Sequence, residues 1–311
     1  MAYSKDGKIE ASDINDLTTS INSTLTSLGQ TNLPSVSQYN KVAAVTWQNL
    51  ITTTRNIASH QNTVTSTLPD TSVTVANGKR VNYYSIISTA IAAVNTNRKN
   101  ALAQGTTVSN FTEASTTWSD KLTFTQSVTF ANTTAATNFF NAGGQIALQF
   151  LHPANTQGID VLFNQLGTNC GTISLSGHNS GNAIIAGTTF TGVTKVGGGG
   201  LTPTISSNLG YAGLTTVPQS IFKQIGSSYV NSLGVAYSQN YIEVKAYITN
   251  GGTTINFETV WDEVPNGIVT GAGNVNGRTR TTTYVLIKYP STTYIANSWS
   301  SLSFTGSVSG S

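Results

Sequence analysis

The sequence predicts an α+β protein in which a small N-terminal helical module precedes an antiparallel β-sandwich. Apolar residues recur every three or four positions in the first third of the chain and every second position from about residue 106 onward. A hairpin signal around Asn250-Gly251-Gly252 indicates that strands of the second region pair antiparallel. We therefore assign residues 1–105 to the helical module and residues 106–311 to the sandwich.

The first predicted helix carries an apolar stripe along one face. It begins with Ser12 or Asp13 as the N-cap and ends at Gly29. The positions outside the stripe are mostly Thr, Ser and Asn, which form helices poorly and offer no Glu–Lys pairs. Because such a helix needs a partner surface, we expect the stripe to dock onto other copies or other proteins through Ile14, Leu17, Ile21, Leu25 and Leu28.

Two further helices are predicted over residues 46–60 and 82–98. Thr46 and Asn82 are the expected N-caps. Each is preceded by a valine and followed four residues later by Leu or Ile, which is the pattern of a hydrophobic staple. Proline-containing loops separate the three helices, so they can fold back on one another.

Strands are predicted where apolar residues alternate in the second region. Glycine-rich stretches between these runs are expected to be loops. The final segment, Ser298–Ser311, is predicted to be a loose or externally docked tail. The alternating runs begin at Leu122, Ile146, Ile173, Tyr241, Thr253 and Thr282.

Two registers are possible for the predicted hairpin. A turn at Gly251-Gly252 places Lys245 opposite Glu258, whereas a turn at Asn250-Gly251 places Glu243 opposite Glu258. The pairing of opposite charges favours the first register, so we expect Lys245 and Glu258 to have a structural role.

The same hairpin has one apolar and one polar face, which is typical of half a sandwich. Tyr241 and Tyr247 lie on the polar face. Tyrosine is enriched in subunit interfaces. We therefore expect both residues at an interface between subunits.

Charged residues make up only 9% of the chain, and the net charge is +3. Enzymes concentrate ionisable groups in a cleft, so this thin scatter favours a structural or binding protein without a cofactor. The excess of bases is too small to predict a nucleic-acid partner. A surface with little charge also allows association with copies of the chain.

A single cysteine, Cys170, excludes an intrachain disulfide and a cysteine-based metal cluster, and we expect it to be a small buried apolar residue. The first residues lack the apolar core of a signal peptide, and no apolar run is long enough to cross a bilayer. We therefore expect synthesis in a host cytoplasm and no membrane partner.

Three segments carry a family resemblance. They are the run 45–61, the run Asn138-Phe139-Phe140-Asn141-Ala142-Gly143-Gly144-Gln145-Ile146, and the C-terminal hairpin followed by Asn274-Val275-Asn276-Gly277 and a Thr-rich strand. In order, these segments resemble virion structural proteins of tailed bacteriophages, including cyanophages, of the neck and tail-fibre type. The second segment looks like that family's Phe-Phe-Asn-Ala-Gly-Gly motif and is the most specific. The chain departs from the family at Ala147–Phe150, where the family has a basic, Ser-rich strand.

The resemblance implies a location in the virion and assembly with other virion proteins. It also implies a homo-oligomer, either a fibre-like trimer or a ring at the neck or tail. The position within the particle is left open.

The residues of the second segment also predict a structural corner by themselves. Phe139 and Phe140 should close a short helical turn, and Asn141 can adopt a left-handed or turn conformation. Gly143 and Gly144 then permit a sharp turn into the next strand.

Candidate catalytic groups are few. His60, His152 and His178 are far apart, and none has a carboxylate or a second histidine at metal-ligand spacing. We expect His60 to complement a helix dipole at a C-terminus. The acidic residues around Trp261 could in principle hydrolyse a glycan. Glu258 already has Lys245 as its expected partner, however, so neither a catalytic site nor a metal site is predicted.

The sequence thus predicts a non-enzymatic structural component of a virion. The alternative is a receptor-binding module that recognises a host surface glycan through its Tyr-rich and Gly/Asn-rich loops. A depolymerase is less favoured, because the repeated rungs of a parallel β-helix are not detectable.

Overall fold

The computed structural model describes residues 11–37, 44–63, 68, 84–114, 118, 120–153, 158–179, 181–226, 239–263 and 281–310. It has the predicted α+β class, with three helices first and antiparallel sheets in most of the remainder. The helices are α1 (Ala11–Ser27), α2 (Ala44–His60), α3 (Tyr84–Thr96), α4 (Thr133–Asn141) and α5 (Gly158–Cys170).

The strands are mostly short. They are β1 (Gln104–Ala114), β2 (Lys121–Thr129), β3 (Gln145–Leu151), β4 (Thr172–Leu175), β5 (Ala183–Ile185), β6 (Thr188–Phe190), β7 (Val193–Val196), β8 (Ile205–Ser206), β9 (Gln219–Ile225), β10 (Tyr241–Thr249), β11 (Thr254–Asp262), β12 (Thr281–Pro290) and β13 (Ser303–Gly310).

The predicted helix starts are displaced by one or two residues. Ser12 and Asp13 lie inside α1, and Thr46 lies inside α2, so none of them is the N-cap. Val45 was expected to form a hydrophobic staple, but it is 56% exposed on α2, so that prediction is wrong. Asn82 lies outside the described residues.

The apolar stripe of α1 is buried inside the chain, largely against α3. Two polar residues of α1 complete this contact: Asn95 of α3 donates to the Ser20 hydroxyl at 2.9 Å and accepts from the Thr24 hydroxyl. The stripe is therefore part of the core. The expectation that it forms a docking surface fails, because a neighbouring helix of the same chain already covers it.

The flank of α1 beside the stripe contacts residues 31–37. The side-chain amide of Asn15 both donates to and accepts from the backbone of Val36, and Asn22 does the same with Leu33, at 2.7 to 2.9 Å. Asparagine is a poor helix former, but its side-chain amide can both donate to and accept from a backbone, as a residue of a neighbouring strand does. These bonds give Asn15 and Asn22 a structural role outside the stripe.

Two antiparallel sheets face each other. One has the strand order β1-β12-β3-β4-β7, and the other has the order β13-β2-β11-β10-β9-β8. Gln126 of β2 crosses between them, since its amide donates to the Thr112 hydroxyl at 3.1 Å and to the Thr283 carbonyl at 2.9 Å. Helix α5 packs on β3 and also contacts β9 and β10. One continuous core extends from α1 through both sheets.

The predicted hairpin register is confirmed. Lys245 lies opposite Glu258, and their side chains approach to 3.3 Å. The connection is a four-residue turn, Asn250–Thr253, which follows the last pair of the ladder, Thr249–Thr254.

Two polar strands at sheet edges, β1 and β13, were not predicted to be strands. The segment predicted to be a loose tail contains β13, which pairs with β2 over eight residues. Its inward positions include Phe304 and Val308, and Gly306 lies where any side chain would collide with the Thr112 hydroxyl. The first strand, β1, is rich in Thr and Ser and was not predicted as a separate strand.

Candidate functional site

The two ends of the sandwich have different chemistry. At the end that we call the helical end, the sandwich meets α1 and α2 through α4 and residues 291–300. The opposite end, the loop end, contains the start of β2, β10 and β12 and the end of β3 and β11, as the ladder Lys121–Asp262–Tyr241 indicates.

The helical end is built on α4 and the turn that follows it. The Asn132 side chain caps α4 by accepting from the Ala135 backbone at 2.8 Å. The helix ends at Asn141, and Gly143 has a φ of +89°, a conformation that favours glycine. The short helix and the glycine turn match the predicted corner. Asn141 differs from it, because it is the last residue of α4 and has no positive φ.

The side chain of Asn141 instead caps α1. It donates to the Ser27 carbonyl at 2.7 Å, and the Ser298 hydroxyl donates to the Leu28 carbonyl at 2.9 Å. Gly29 follows with a φ of +66°, and a Cβ there would collide with the Asn138 side chain. The sandwich therefore supplies partners for carbonyl groups that the end of a helix leaves free.

Helix α2 ends on the same corner. His60 Nε2 donates to the Ala142 carbonyl at 3.1 Å, and the Leu102 backbone donates to the His60 carbonyl. Burial lowers the pKa of His60 to about 4. The imidazole is therefore neutral at pH 7, so the expectation of a positive side chain that complements the helix dipole is wrong.

Aromatic packing stabilises this corner. The Phe140 ring stacks on Tyr211 with ring centroids 4.7 Å apart, and Phe139 contacts Phe140 and Phe130 edge to face at 5.1 and 5.3 Å. We call the set of α4, its glycine turn and the ends of α1 and α2 the helix–sandwich joint.

The loop end contains a buried chain of polar groups. Asp160 Oδ1 accepts from His152 Nε2 at 3.0 Å, and His152 Nδ1 is 2.8 Å from the Thr281 hydroxyl. The indole of Trp118 donates to the same hydroxyl at 3.3 Å, and Asn164 donates to the His152 carbonyl at 2.6 Å. Burial lowers the pKa of His152, although the Asp160 carboxylate opposes this effect.

This relay has the order acid–imidazole–hydroxyl that activates a nucleophile in many hydrolases. His152, Asp160 and Thr281 are all buried, and the rings of Phe163 and Trp261 lie about 6 Å from the imidazole. A substrate cannot reach the hydroxyl in this arrangement. The relay therefore links the end of β3, the start of α5 and the start of β12.

Sequence reasoning missed this relay. His152 follows the end of β3, Asp160 lies eight residues later in the first turn of α5, and Thr281 is distant in sequence. A carboxylate in the first turn of a helix that follows a His-Pro pair was the only available signal.

The acidic residues in β11 and directly after it have separate environments. Glu258 pairs with Lys245, and Asp262 accepts from the Tyr241 hydroxyl at 2.9 Å. Glu263 is buried, and its Oε2 has no hydrogen-bond partner among the described residues. Burial and the nearby Asp120 raise the pKa of Glu263 to about 8.

The remaining residues singled out from the sequence lie apart from the relay, and each is either partly exposed or buried. Tyr241 and Tyr247 lie on the outer face of the six-stranded sheet, and the Lys223 amine is 3.5 Å from the centre of the Tyr241 ring. Cys170 is a buried free cysteine, as predicted, and burial raises the pKa of its thiol. His178 is half-buried in a loop.

Three further findings bear on function. Within the described ranges, no group of three or more His, Cys, Asp or Glu side chains could hold a metal ion. No helix in that part of the chain is long and apolar enough to cross a membrane. No protein-family model, curated protein or solved structure matches the chain. These comparisons therefore assign neither a family nor an activity.

Proposed function

We propose that the chain is a non-enzymatic structural component of a tailed-phage virion, a neck- or tail-associated fibre-like protein that assembles with copies of itself and with other virion proteins. The observation that carries the proposal is the position of the segment 139–144. This run has the most specific resemblance to such proteins, and it forms the helix–sandwich joint. A projecting subunit needs such a joint, because it fixes the orientation of one part of the chain relative to the other.

The chemistry of the ionisable groups supports a structural role. The relay of Asp160, His152 and Thr281 is closed to solvent, and the acidic residues near Trp261 have separate environments. The relay thus has no access to a substrate, and Glu258 and Asp262 each have a partner on the neighbouring strand. The proposed function requires no cofactor.

The proposed contact between copies is the outer face of the six-stranded sheet. The stripe of α1 is core, so Tyr241 and Tyr247 are the members of the expected interface that reach the surface. Tyrosine contributes a large contact area there and keeps its hydroxyl hydrated. The family resemblance favours a trimer or a ring.

Mass spectrometry of purified particles tests the location. Particles from a lysate that contains this chain should hold it at a fixed copy number after washing in high salt. Its absence from the particles would contradict the proposal.

Light scattering of the purified chain tests the assembly. We expect an oligomer that Tyr247→Asp dissociates, because a buried unpaired charge opposes the contact. The matched control is Val217→Asp, which changes an exposed apolar residue before β9. A monomer at all concentrations, or equal effects of the two substitutions, would contradict the interface.

A further inference from the structure

A groove of about 510 Å³ lies where the five-stranded sheet is incomplete. β4 begins at Thr172, so Phe150 and Leu151 at the end of β3 have no partner on that side. The C-terminal turn of α5 occupies this place, and Gly167 lies so close to the Phe150 carbonyl that a Cβ would be 2.9 Å from its oxygen. The groove opens between this turn and the loop after β7, which begins with Gly197 and Gly198.

A straight row of side chains crosses the outer face of this sheet and continues into the groove. The row is a set of directly paired positions on five neighbouring strands, about 19 Å long at the usual strand spacing. Phe111 at one end is 59% exposed, and its ring centre is 5.9 Å from that of Tyr284. The row consists of Phe111, Tyr284, Gln149, Thr172 and Val196.

The polar members of the row are already oriented. The Gln149 amide donates to the Thr172 hydroxyl at 2.7 Å. This bond leaves the Gln149 carbonyl oxygen as an acceptor and the Thr172 hydroxyl hydrogen as a donor for a ligand. Thr168 and the glycine backbone supply further polar groups along the same wall.

The charge and the topology limit what can bind here. Among the described residues, the lining contains no Asp, Glu, Lys, Arg or His, so nothing in it favours an ionic ligand. Tyr284, Gln149 and Thr172 lie on strands with neighbours on both sides, so an added peptide strand cannot bond to their backbone. A ligand must therefore bind to side chains. It needs apolar faces that pack on the aromatic rings of the row and hydroxyl groups that bond to the Gln149 amide.

We propose that this groove binds a neutral oligosaccharide along the row from Phe111 to Val196. A pyranose ring presents C–H groups, which pack on the electron-rich face of an aromatic ring, and hydroxyl groups, which both donate and accept hydrogen bonds. The volume of the groove, about 510 Å³, is within the range of small-molecule sites. The site lies on the sheet face, and so it is distinct from the Tyr-rich loops that the sequence suggested for glycan recognition.

Affinity electrophoresis of the full chain in gels with neutral polysaccharides tests this proposal. The panel contains an α-glucan, a β-glucan, a mannan and a galactan, and alginate is the acidic comparison. We expect at least one neutral polymer to retard the chain and alginate not to do so.

Matched variants locate the site. Tyr284→Ala should weaken the apparent affinity about tenfold or more, whereas Tyr284→Phe keeps the ring face and should change it less than about threefold. Thr172→Val, which removes one hydroxyl at constant volume, should weaken it by about three- to tenfold. The control is Tyr294→Ala, which removes an exposed tyrosine outside both the groove and the proposed interface and should not change the affinity.

Three results would overturn the proposal. They are binding of no neutral polymer, equal losses for Tyr284→Ala and Tyr294→Ala, or retardation by alginate alone. Melting curves must show that each variant folds, and if Tyr284→Ala does not fold, Thr172→Val decides the question. If Tyr284→Ala instead dissociates an oligomer in light scattering, a second copy of the chain occupies the groove and the proposal is wrong.

Discussion

The helical end and the loop end both depend on hydrogen-bonded polar side chains, but the bonds differ in kind. At the helical end, Asn141 and Ser298 donate to backbone carbonyls at the end of α1, and His60 of α2 donates to the Ala142 carbonyl in the turn after α4. At the loop end, Asp160 and His152 bond to each other. The helices thus depend on the sandwich for their ends, whereas the sandwich closes its own loop end with its own side chains.

The two ends also contain one group each, His60 and Glu263, with opposite responses to pH. The folded chain holds His60 neutral, so acid opposes the helical end. The folded chain holds Glu263 protonated, so alkali opposes the loop end. Burial also lowers the pKa of His152, so acid opposes the loop end as well, and single substitutions are needed to separate the two ends.

The largest expected effect comes from removing the sandwich altogether. A fragment of residues 1–105 lacks Asn141 and Ser298, which cap α1, and it lacks the aromatic corner beneath both helices. Isolated helices of this length are marginal in water. We expect circular dichroism to show little helix in the fragment and more helix when the fragment 106–311 is added. A cooperative helical monomer would mean that the helices do not depend on the sandwich.

The second effect tests the loop end with Glu263→Gln. The pKa of Glu263 is higher in the folded than in the unfolded chain, so its contribution to stability is lost as pH rises from about 4.5 to about 8. By the energy equivalent of that shift, the variant should be more stable than the wild type at pH 8.5 by at most about 5 kcal/mol, and similar to it at pH 5. Urea titrations at both pH values measure this.

The matched control for that experiment is Glu258→Gln, which changes a partly exposed carboxylate on the same strand. This control should not alter the pH slope between 5 and 8.5. If Glu263→Gln has the same slope as the control, Glu263 is ionised in the folded chain and the loop end does not resist alkali.

The third effect tests the helical end with His60→Gln. Burial lowers the pKa of His60 from 6.5 to about 4, so the wild type loses up to about 3 kcal/mol as pH falls through that window. Glutamine can still donate to the Ala142 carbonyl but does not titrate. We expect the variant to lose less stability between pH 7 and 4.5 in urea titrations, with a remaining loss from His152 at the loop end. If the variant and the wild type have the same dependence of stability on pH, the His60 side chain is exposed to solvent in the folded chain.

Periodicity predicted the elements that carry their own pattern. The stripe of α1 and the alternation of β10 and β11 place apolar residues on one face. Such a periodicity is visible within the sequence of each element alone. The strand β13 reads Ser-Phe-Thr-Gly-Ser-Val-Ser-Gly, which favours a loop by propensity. It is a strand because β2 offers it an edge, and strand propensity depends on such neighbours.

The sites were less predictable than the elements. Asn141 was interpreted as a turn residue, because the sequence does not show that α1 returns to this corner. His152, Asp160 and Thr281 come together only when two sheets and a helix are assembled. The row from Phe111 to Val196 joins five strands that are scattered over the chain, so no motif marks it.

The smallest expected effect compares both ends with a contact that lies between them. The side chains of Lys245 and Glu258 are 3.3 Å apart on the outer sheet face, and they are 34% and 32% exposed. Solvent screens such a pair, so a double-mutant cycle with Lys245→Met and Glu258→Gln should give a coupling of about 0.2 to 1 kcal/mol that shrinks in 1 M NaCl. A coupling above about 2 kcal/mol that grows with protein concentration would instead indicate that a neighbouring copy covers this face. The same cycle at dilute protein, where an oligomer dissociates, distinguishes the two cases, because only a covered pair loses coupling on dilution.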